Sequence, residues 1–291
     1  MSKFESCMRL LRIQQWLKNL FVFAPSFFSG NMLEAQVFST SLLTFFCFSL
    51  AASSIYVLND WRDRLEDAEH PEKRNRPLAS GELPATTGAL LGFLSFGLSS
   101  LLSLVFLPLE TSGLIFGYAV LNIVYTFLLK NYAILDVNSI AAGFVLRLFA
   151  GSSATGIELS SWIITLTYLL ALFLALAKRR DDVLRKETGT HLVRKATTGY
   201  SRVFLDQAMT ALVAVVIVAY LQYCHALDRK LSVPNEYLYL TSIFVIVGVL
   251  RYLQLTLVYE NTANPTQVLA TDRFTQLNLL LWGGTYFWLL Y

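Results

Sequence analysis

NDWRDRLEDAEHPEKRNRPLASG, residues 59–81, places six acidic and five basic side chains directly after residues 38–58, an apolar run with no charge. A run of that length can cross a bilayer core, which takes roughly 20 residues of helix. Asn59, Asp63 and Asp67 recur every four residues. A helix that continues past the membrane edge therefore stacks an amide and two carboxylates on one face, with Asp60 one position off. Like charges at this spacing repel unless a cation lies between them. Oxygen ligands without His or Cys suit a hard ion such as Mg2+, which commonly brings phosphate with it. His70-Pro71 is expected to stop the helix. Lys73, Arg74 and Arg76 then follow where they can reach phosphate oxygens. The plainer alternative is a solvated loop whose opposite charges pair with one another.

Only 15% of the 291 residues are charged, 55% are hydrophobic, and mean hydropathy is +0.52. Soluble domains carry about 25% charged residues, so composition excludes that class and indicates an all-α polytopic membrane protein. The net charge of +3 is small, and no nucleic-acid partner is expected. Cys7, Cys47 and Cys224 sit in or beside apolar runs and form neither a disulfide framework nor a CxxC site. The first residues lack the short apolar core and small-residue cleavage site of a signal peptide, so the first apolar run is expected to stay in the mature protein.

Nine transmembrane helices are expected, at 16–32, 38–58, 86–107, 111–129, 134–155, 159–177, 207–227, 237–259 and 274–291. With the amino terminus in the cytosol, inner segments hold 19 of the 23 Lys and Arg, which sets the orientation. The outer connections are short and nearly uncharged, so polar chemistry is confined to the cytosolic face. No fixed-period repeat is visible. The two charged loops, 59–82 and 178–206, do lie four helices apart, as in a duplicated four-helix unit. Without a linker rich in Gly, Pro or Ser, residues 1–291 are read as one domain. The second loop opens KRRDDVLRKETG from Lys178, with Arg179 next and His191, Arg194 and Lys195 further on. It either shares an anionic ligand with the first loop or only marks the inner side of the membrane.

Arg147 lies about 13 residues into the fifth span, roughly 20 Å deep, and there must face a polar cavity or a partner. Asp136 is three turns earlier on the same face, too far away to pair with it. Asp136, Gly143 and Arg147 are expected to line a water-filled central cavity; a structural interhelical ion pair for Arg147 is the alternative. Arg251 lies about two turns from its cytosolic end and can snorkel. Lys18, Asn19, Tyr125 and Lys130 close spans on the cytosolic side, as substrate contacts or as interfacial anchors.

Asn59 to Gly81 resembles the first Asp-rich motif, NDxxDxxxD, of the UbiA superfamily of intramembrane prenyltransferases. Nine spans with long cytosolic loops after the second and sixth match that fold, a bundle around a cavity open to the cytosolic face. The resemblance covers essentially the whole chain. QWLKNLFVFAP from Gln15, HPEKRNRPLASG from His70, LDVNSIAAGFVLRLFAG from Leu135 and ALAKRRDD from Ala175 are similar to the decaprenyl-phosphate phosphoribosyltransferase branch. That branch implies transfer of ribose 5-phosphate from phosphoribosyl diphosphate to a polyprenyl phosphate, with Mg2+, at the inner face of the plasma membrane. KRRDD departs from the DxxxD second motif of ordinary members. Its extra positive charge suits a donor carrying a 5-phosphate as well as a diphosphate.

On this reading Asn59, Asp63 and Asp67, with Asp60 assisting, hold Mg2+ on the donor diphosphate as the ribose C1 gains oxocarbenium character. Lys73, Arg76, Lys178 and Arg179 neutralise phosphate oxygens, while Lys18, Lys130 and Arg147 draw the lipid phosphate to C1. Asn19, Tyr125 and Asp136 complete the substrate contacts. The alternatives are a prenyltransferase that moves an isoprenoid from its diphosphate to an aromatic or glycerol-phosphate acceptor, and a transporter or scaffold without chemistry. KRRDD disfavours the former and the bare outer loops the latter. An assembly of several copies stays open.

Overall fold

The computed structural model describes residues 3–69, 73–187, 195–228, 237–260, 268–269 and 271–291, and among these all regular structure is helical. In chain order the helices are α1 (Lys3–Leu10), a 3-10 segment (Ile13–Phe23), α2 (Ala24–Phe28), α3 (Ala35–Glu69), α4 (Ala85–Phe106) and α5 (Leu109–Phe127). They continue as α6 (Leu135–Thr155), α7 (Ser161–Glu187), α8 (Arg202–Asp228), α9 (Ser242–Leu257) and α10 (Arg273–Leu290). Among the described residues six stretches are long and apolar enough to cross a membrane: α3, α4, α6, α7, α8 and the run Leu238–Leu257 that ends in α9. The protein is a multi-pass membrane protein. The expected stop at His70-Pro71, and His191 and Arg194 of the second charged loop, lie outside the described residues.

The chain forms two compact units, Met1–Leu129 with Gly143–Glu158, and Lys130–Ala142 with Leu159–Tyr291. The first is organised on α3. Its 35 residues make a rod of about 52 Å, against about 30 Å of bilayer core, so its last turns run beyond the apolar stretch as one continuous helix. Helix α4 packs on it in an order opposite to that of a soluble helix. Ser95, Ser99 and Ser103, one turn apart, are buried, while Leu90, Phe93, Leu94, Leu98, Leu101 and Leu104 are exposed. The Ser99 hydroxyl donates to the Cys47 carbonyl at 2.6 Å. Small residues allow such close approach, and outward leucines have lipid as their solvent.

The expected first span, 16–32, is not one helix. An 11-residue 3-10 segment leads into the five residues of α2, with Pro25 at its start. A 3-10 run this long is uncommon, and its three-residue period is what the packing requires. Trp16, Asn19 and Val22 eclipse one another on the inner side. Trp16 Nε1 donates to Ser53 Oγ at 3.0 Å and Asn19 Nδ2 to Ser49 Oγ at 2.9 Å. Ser49 and Ser53 are themselves one α-helical turn apart on α3. At Val22 the backbone meets Gly151 of α6 so closely that a Cβ there would stand 2.0 Å from the Val22 carbonyl oxygen.

The second unit buries a core around Phe173, Leu176, Leu205, Met209 and Tyr252 between α7, α8 and α9. Helix α7 does not end at the expected boundary of 177 but carries KRRDD on its own last turns to Glu187. Arg251 does not snorkel: it pairs with Asp272, the N-cap of α10, at 2.7 Å.

Candidate active site

The extension of α3 carries the densest charge in the first unit. Asp60 and Asp67 lie seven residues apart, two turns along one face, and are buried to 2% and 3% exposure. Arg76 folds back from the following turn so that Nη1 stands 3.0 Å from Asp60 Oδ1 and 2.6 Å from Asp67 Oδ2. Lys73 Nζ lies 3.8 Å from Asp67 Oδ1. From the other side Arg12 Nη2 reaches Asp60 Oδ1 at 2.5 Å, its guanidinium over the Tyr56 ring at 5.2 Å. Three cations thus share two buried carboxylates.

The gathered pair is Asp60 and Asp67, not the expected stripe of Asn59, Asp63 and Asp67. Asn59 Oδ1 accepts instead from the Thr126 hydroxyl of α5 at 2.5 Å, and Asp63 is half-buried. Residues seven apart are within about 20° of eclipsing on an α-helix, whereas each step of four drifts by about 40°. That offset turns Asn59 towards α5 while Asp60 and Asp67 share one cation. The donors are oxygens only, as Mg2+ prefers, so the residues fit that ion chemically. In this arrangement the cation they face is Arg76. Among the described residues no cluster of three or more His, Cys, Asp and Glu is placed to hold a metal ion.

A strap secures this region from the amino terminus. Arg9 donates to the Asn75 carbonyl and pairs with Glu82 at 3.2 Å, and the Ser6 hydroxyl donates to Glu82 at 2.9 Å. The Ser6 hydroxyl and Arg9 hold the Glu82 carboxyl below its ordinary pKa.

Arg147, 4% exposed, neither lines open water nor forms an interhelical ion pair. Its Nε donates to Asn19 Oδ1 at 2.8 Å, Nη1 to the Gly143 carbonyl at 2.7 Å and Nη2 to the Tyr118 hydroxyl at 3.0 Å. The rings of Phe48, Tyr118 and Phe144 surround it at 5.0, 4.7 and 5.2 Å. Neutral acceptors and aromatic faces satisfy its hydrogen bonds but leave its charge uncancelled by any carboxylate among the described residues. Lys18, half-buried, adjoins Asn19 on the 3-10 segment, and Tyr125, also half-buried, ends α5 beside Thr126.

In the second unit Asp136, 0% exposed, is bonded rather than open to water: Arg179 Nε donates to Oδ2 and the Tyr200 hydroxyl to Oδ1 at 2.6 Å. Arg179, 1% exposed, also holds Asp182 at 2.5 Å. Burial and the neighbouring Asp136 raise the Tyr200 phenol well above its ordinary pKa, so it stays a donor. Arg180 is equally buried, on Asp206 at 2.6 Å and the Thr256 carbonyl at 2.7 Å. Arg179, expected as a phosphate contact, thus has Nε and Nη1 on the carboxylates of Asp136 and Asp182. Lys178 is exposed, and Lys130 is half-buried in the turn after α5. Sequence reasoning missed Arg12, Tyr118 and Tyr200. A tyrosine within an apolar span was the one available signal, at Tyr118.

The UbiA prenyltransferase family model matches residues 21–279. The decaprenyl-phosphate phosphoribosyltransferase of Mycolicibacterium smegmatis is 31% identical over 288 residues, 95% of this chain and 90% of the relative. That of Corynebacterium glutamicum is 29% identical over 283 residues, 96% of this chain and 84% of the relative. Among solved structures, a UbiA homolog from Archaeoglobus fulgidus bound to DMAPP and Mg2+ superposes with a TM-score of 0.69 at 18% identity, covering 97% of this chain and 99% of that one. Fold and sequence agree over nearly the full length: the chain belongs to the UbiA prenyltransferase family.

Proposed function

We propose that the protein transfers a 5-phosphoribosyl group from phosphoribosyl diphosphate to a polyprenyl phosphate such as decaprenyl phosphate, releasing diphosphate. The observation that carries this reading is the gathering of Arg12, Arg76 and Lys73 on the buried carboxylates Asp60 and Asp67. Such a site can accept a polyanionic donor and its divalent ion together. Similarity to the two phosphoribosyltransferases over nearly their whole length supports it.

Asp60 and Asp67, with Asp63 and Asn59 of the same helix end completing the set, would hold Mg2+, which when bound supplies Lewis-acid neutralisation of the leaving diphosphate. Lys73 and Arg76 neutralise phosphate oxygens as the C1–O bond breaks and the ribose gains oxocarbenium character. The acceptor phosphate is already anionic at neutral pH and needs no general base. Arg147 orients Asn19 and, next to it, Lys18, and together with Lys130 and Tyr125 these draw the lipid phosphate to the reacting face. In the second unit Arg179 and Asp136 position the end of α7. Nine crossings, with the amino terminus and the active site on the cytosolic side of the plasma membrane, keep the isoprenoid in lipid.

Purified protein incubated with Mg2+, polyprenyl phosphate and ribose-labelled phosphoribosyl diphosphate is expected to yield labelled lipid. Labelling of an aromatic or glycerol-phosphate acceptor from labelled prenyl diphosphate instead would overturn the reaction.

A further inference from the structure

Asp60 Oδ1 receives two guanidiniums, Arg12 at 2.5 Å and Arg76 at 3.0 Å. One buried carboxylate cannot neutralise two arginines, and Asp67 is already shared by Arg76 and Lys73. Arg12 also stands in the left-handed backbone region, φ 50° and ψ 49°, which a residue with a Cβ seldom occupies. Strain of this kind persists where the surroundings impose it, and it clusters at binding sites. The arginine is not sealed in: its side chain is 27% exposed, against 1% for Arg179. Arg179 and Arg180 are buried and paired with carboxylates, Asp136 and Asp182 for the first and Asp206 for the second. Arg12, beside Arg76 and Lys73, adds a third cation for a donor with phosphate at both ends.

We propose that Arg12 is a further donor-binding residue, one that rests with Arg76 on Asp60 in the ligand-free protein and turns to a donor phosphate when a divalent ion takes the carboxylate. The inference rests on the phosphoribosyl-transfer reading and names a residue and a ligand exchange that the reading does not require. The guanidinium is suited to both partners, since carboxylate and phosphate present the same paired-oxygen geometry to its fork. It also accounts for an acidic cluster that faces arginine before it faces a metal ion. Arg12 and the ion compete for Asp60, whereas Arg12 and the donor attract.

Opposite signs in two binding measurements follow. Mn2+ serves as the paramagnetic probe, titrated into purified full-length protein in detergent without donor and followed by electron paramagnetic resonance. Arg12→Gln is expected to bind Mn2+ several-fold more tightly than the unaltered protein. With Mn2+ saturating, its affinity for phosphoribosyl diphosphate is expected to fall by about tenfold or more, because a charged phosphate contact is lost. Arg12→Lys, which keeps the charge and the hold on Asp60, is expected to leave Mn2+ affinity near that of the unaltered protein and to lose about threefold in donor affinity, the fork being absent. Weaker Mn2+ binding by Arg12→Gln, or donor binding unchanged in both variants, would overturn the role of Arg12 and leave a purely structural ion pair. Failure of the unaltered protein to bind phosphoribosyl diphosphate would instead overturn the reaction proposed above.

Discussion

Asp136 and Arg179 stand 43 residues apart in the chain and form an ion pair closed to solvent, at 0% and 1% exposure. Removing one partner of such a pair strands the other. Asp136→Ala is expected to destabilise the protein by about 3–5 kcal/mol, and the double replacement Asp136→Leu with Arg179→Met to recover most of it. A double-mutant cycle on thermal unfolding in detergent measures the coupling. Equal losses in the single and double variants would return Arg179 to a role outside the fold.

Asp67 is buried yet faces Arg76 and Lys73. Asp67→Asn keeps its shape and removes its charge, while Arg76 retains Asp60. Turnover is expected to fall at least about 10³-fold, or about 4 kcal/mol of transition-state stabilisation, a loss far larger than the accompanying shift in the thermal midpoint accounts for. Parallel assays of phosphoribosyl transfer and unfolding decide this, and near-normal turnover would remove the carboxylate from the machinery. Asp63→Ala, tested alongside, shows whether the half-buried third carboxylate belongs to the same set.

Gly151 and Gly97 form a matched pair of probes. A Cβ at Gly151 meets the Val22 carbonyl at 2.0 Å, whereas nothing lies within 4 Å of one at Gly97. Gly151→Ala is expected to cost about 3 kcal/mol, since backbone cannot move aside as a side chain does. It should also disturb Asn19 and Lys18 through the 3-10 segment. Gly97→Ala is expected to be neutral or to stabilise by up to about 1 kcal/mol. Unfolding midpoints of the two variants test the difference.

The Arg251 side chain and the Thr275 hydroxyl and amide hold the Asp272 carboxyl well below its ordinary pKa. A carboxyl depressed in the folded state stabilises the fold above its unfolded value of about 3.9, and that contribution disappears as pH falls through the folded value. Asp272→Asn keeps the cap but loses the charge pairing with Arg251, and is therefore expected to be less stable by up to about 1 kcal/mol at neutral pH. The gap should shrink below about pH 4, as unfolding followed along a pH series would show.

The membrane class and the charged end of α3 were legible because they are local. Apolar runs report spans, and Asn59, Asp63 and Asp67 recur at helical spacing. The burial of Asp60 and Asp67 was not legible, because it depends on Arg12 and Arg76 folding back onto α3, and residue 12 is 48 positions from residue 60. Likewise Arg147 finds Asn19 across 128 residues, and Asp136 finds Arg179 across 43. Charge counting placed Arg179 and Arg180 at a membrane edge but could not tell a buried anchor from a phosphate ligand. The first span was misread because Trp16, Asn19 and Val22 follow a three-residue period within an otherwise apolar stretch.

Helix α4 separates what holds this protein together from what keeps it in lipid. Its serines make the joint with α3, whereas the outward Leu90, Phe93, Leu94, Leu98 and Leu101 belong to neither of the hydrophobic clusters that Leu91 and Leu102 pack against. Recoding the outward positions Leu90, Phe93, Leu94, Leu98 and Leu101 with Glu, Lys and Gln would therefore leave the α3–α4 seam intact and lessen the demand for detergent. The same exchange at Ser95 and Ser99 would wedge the seam apart.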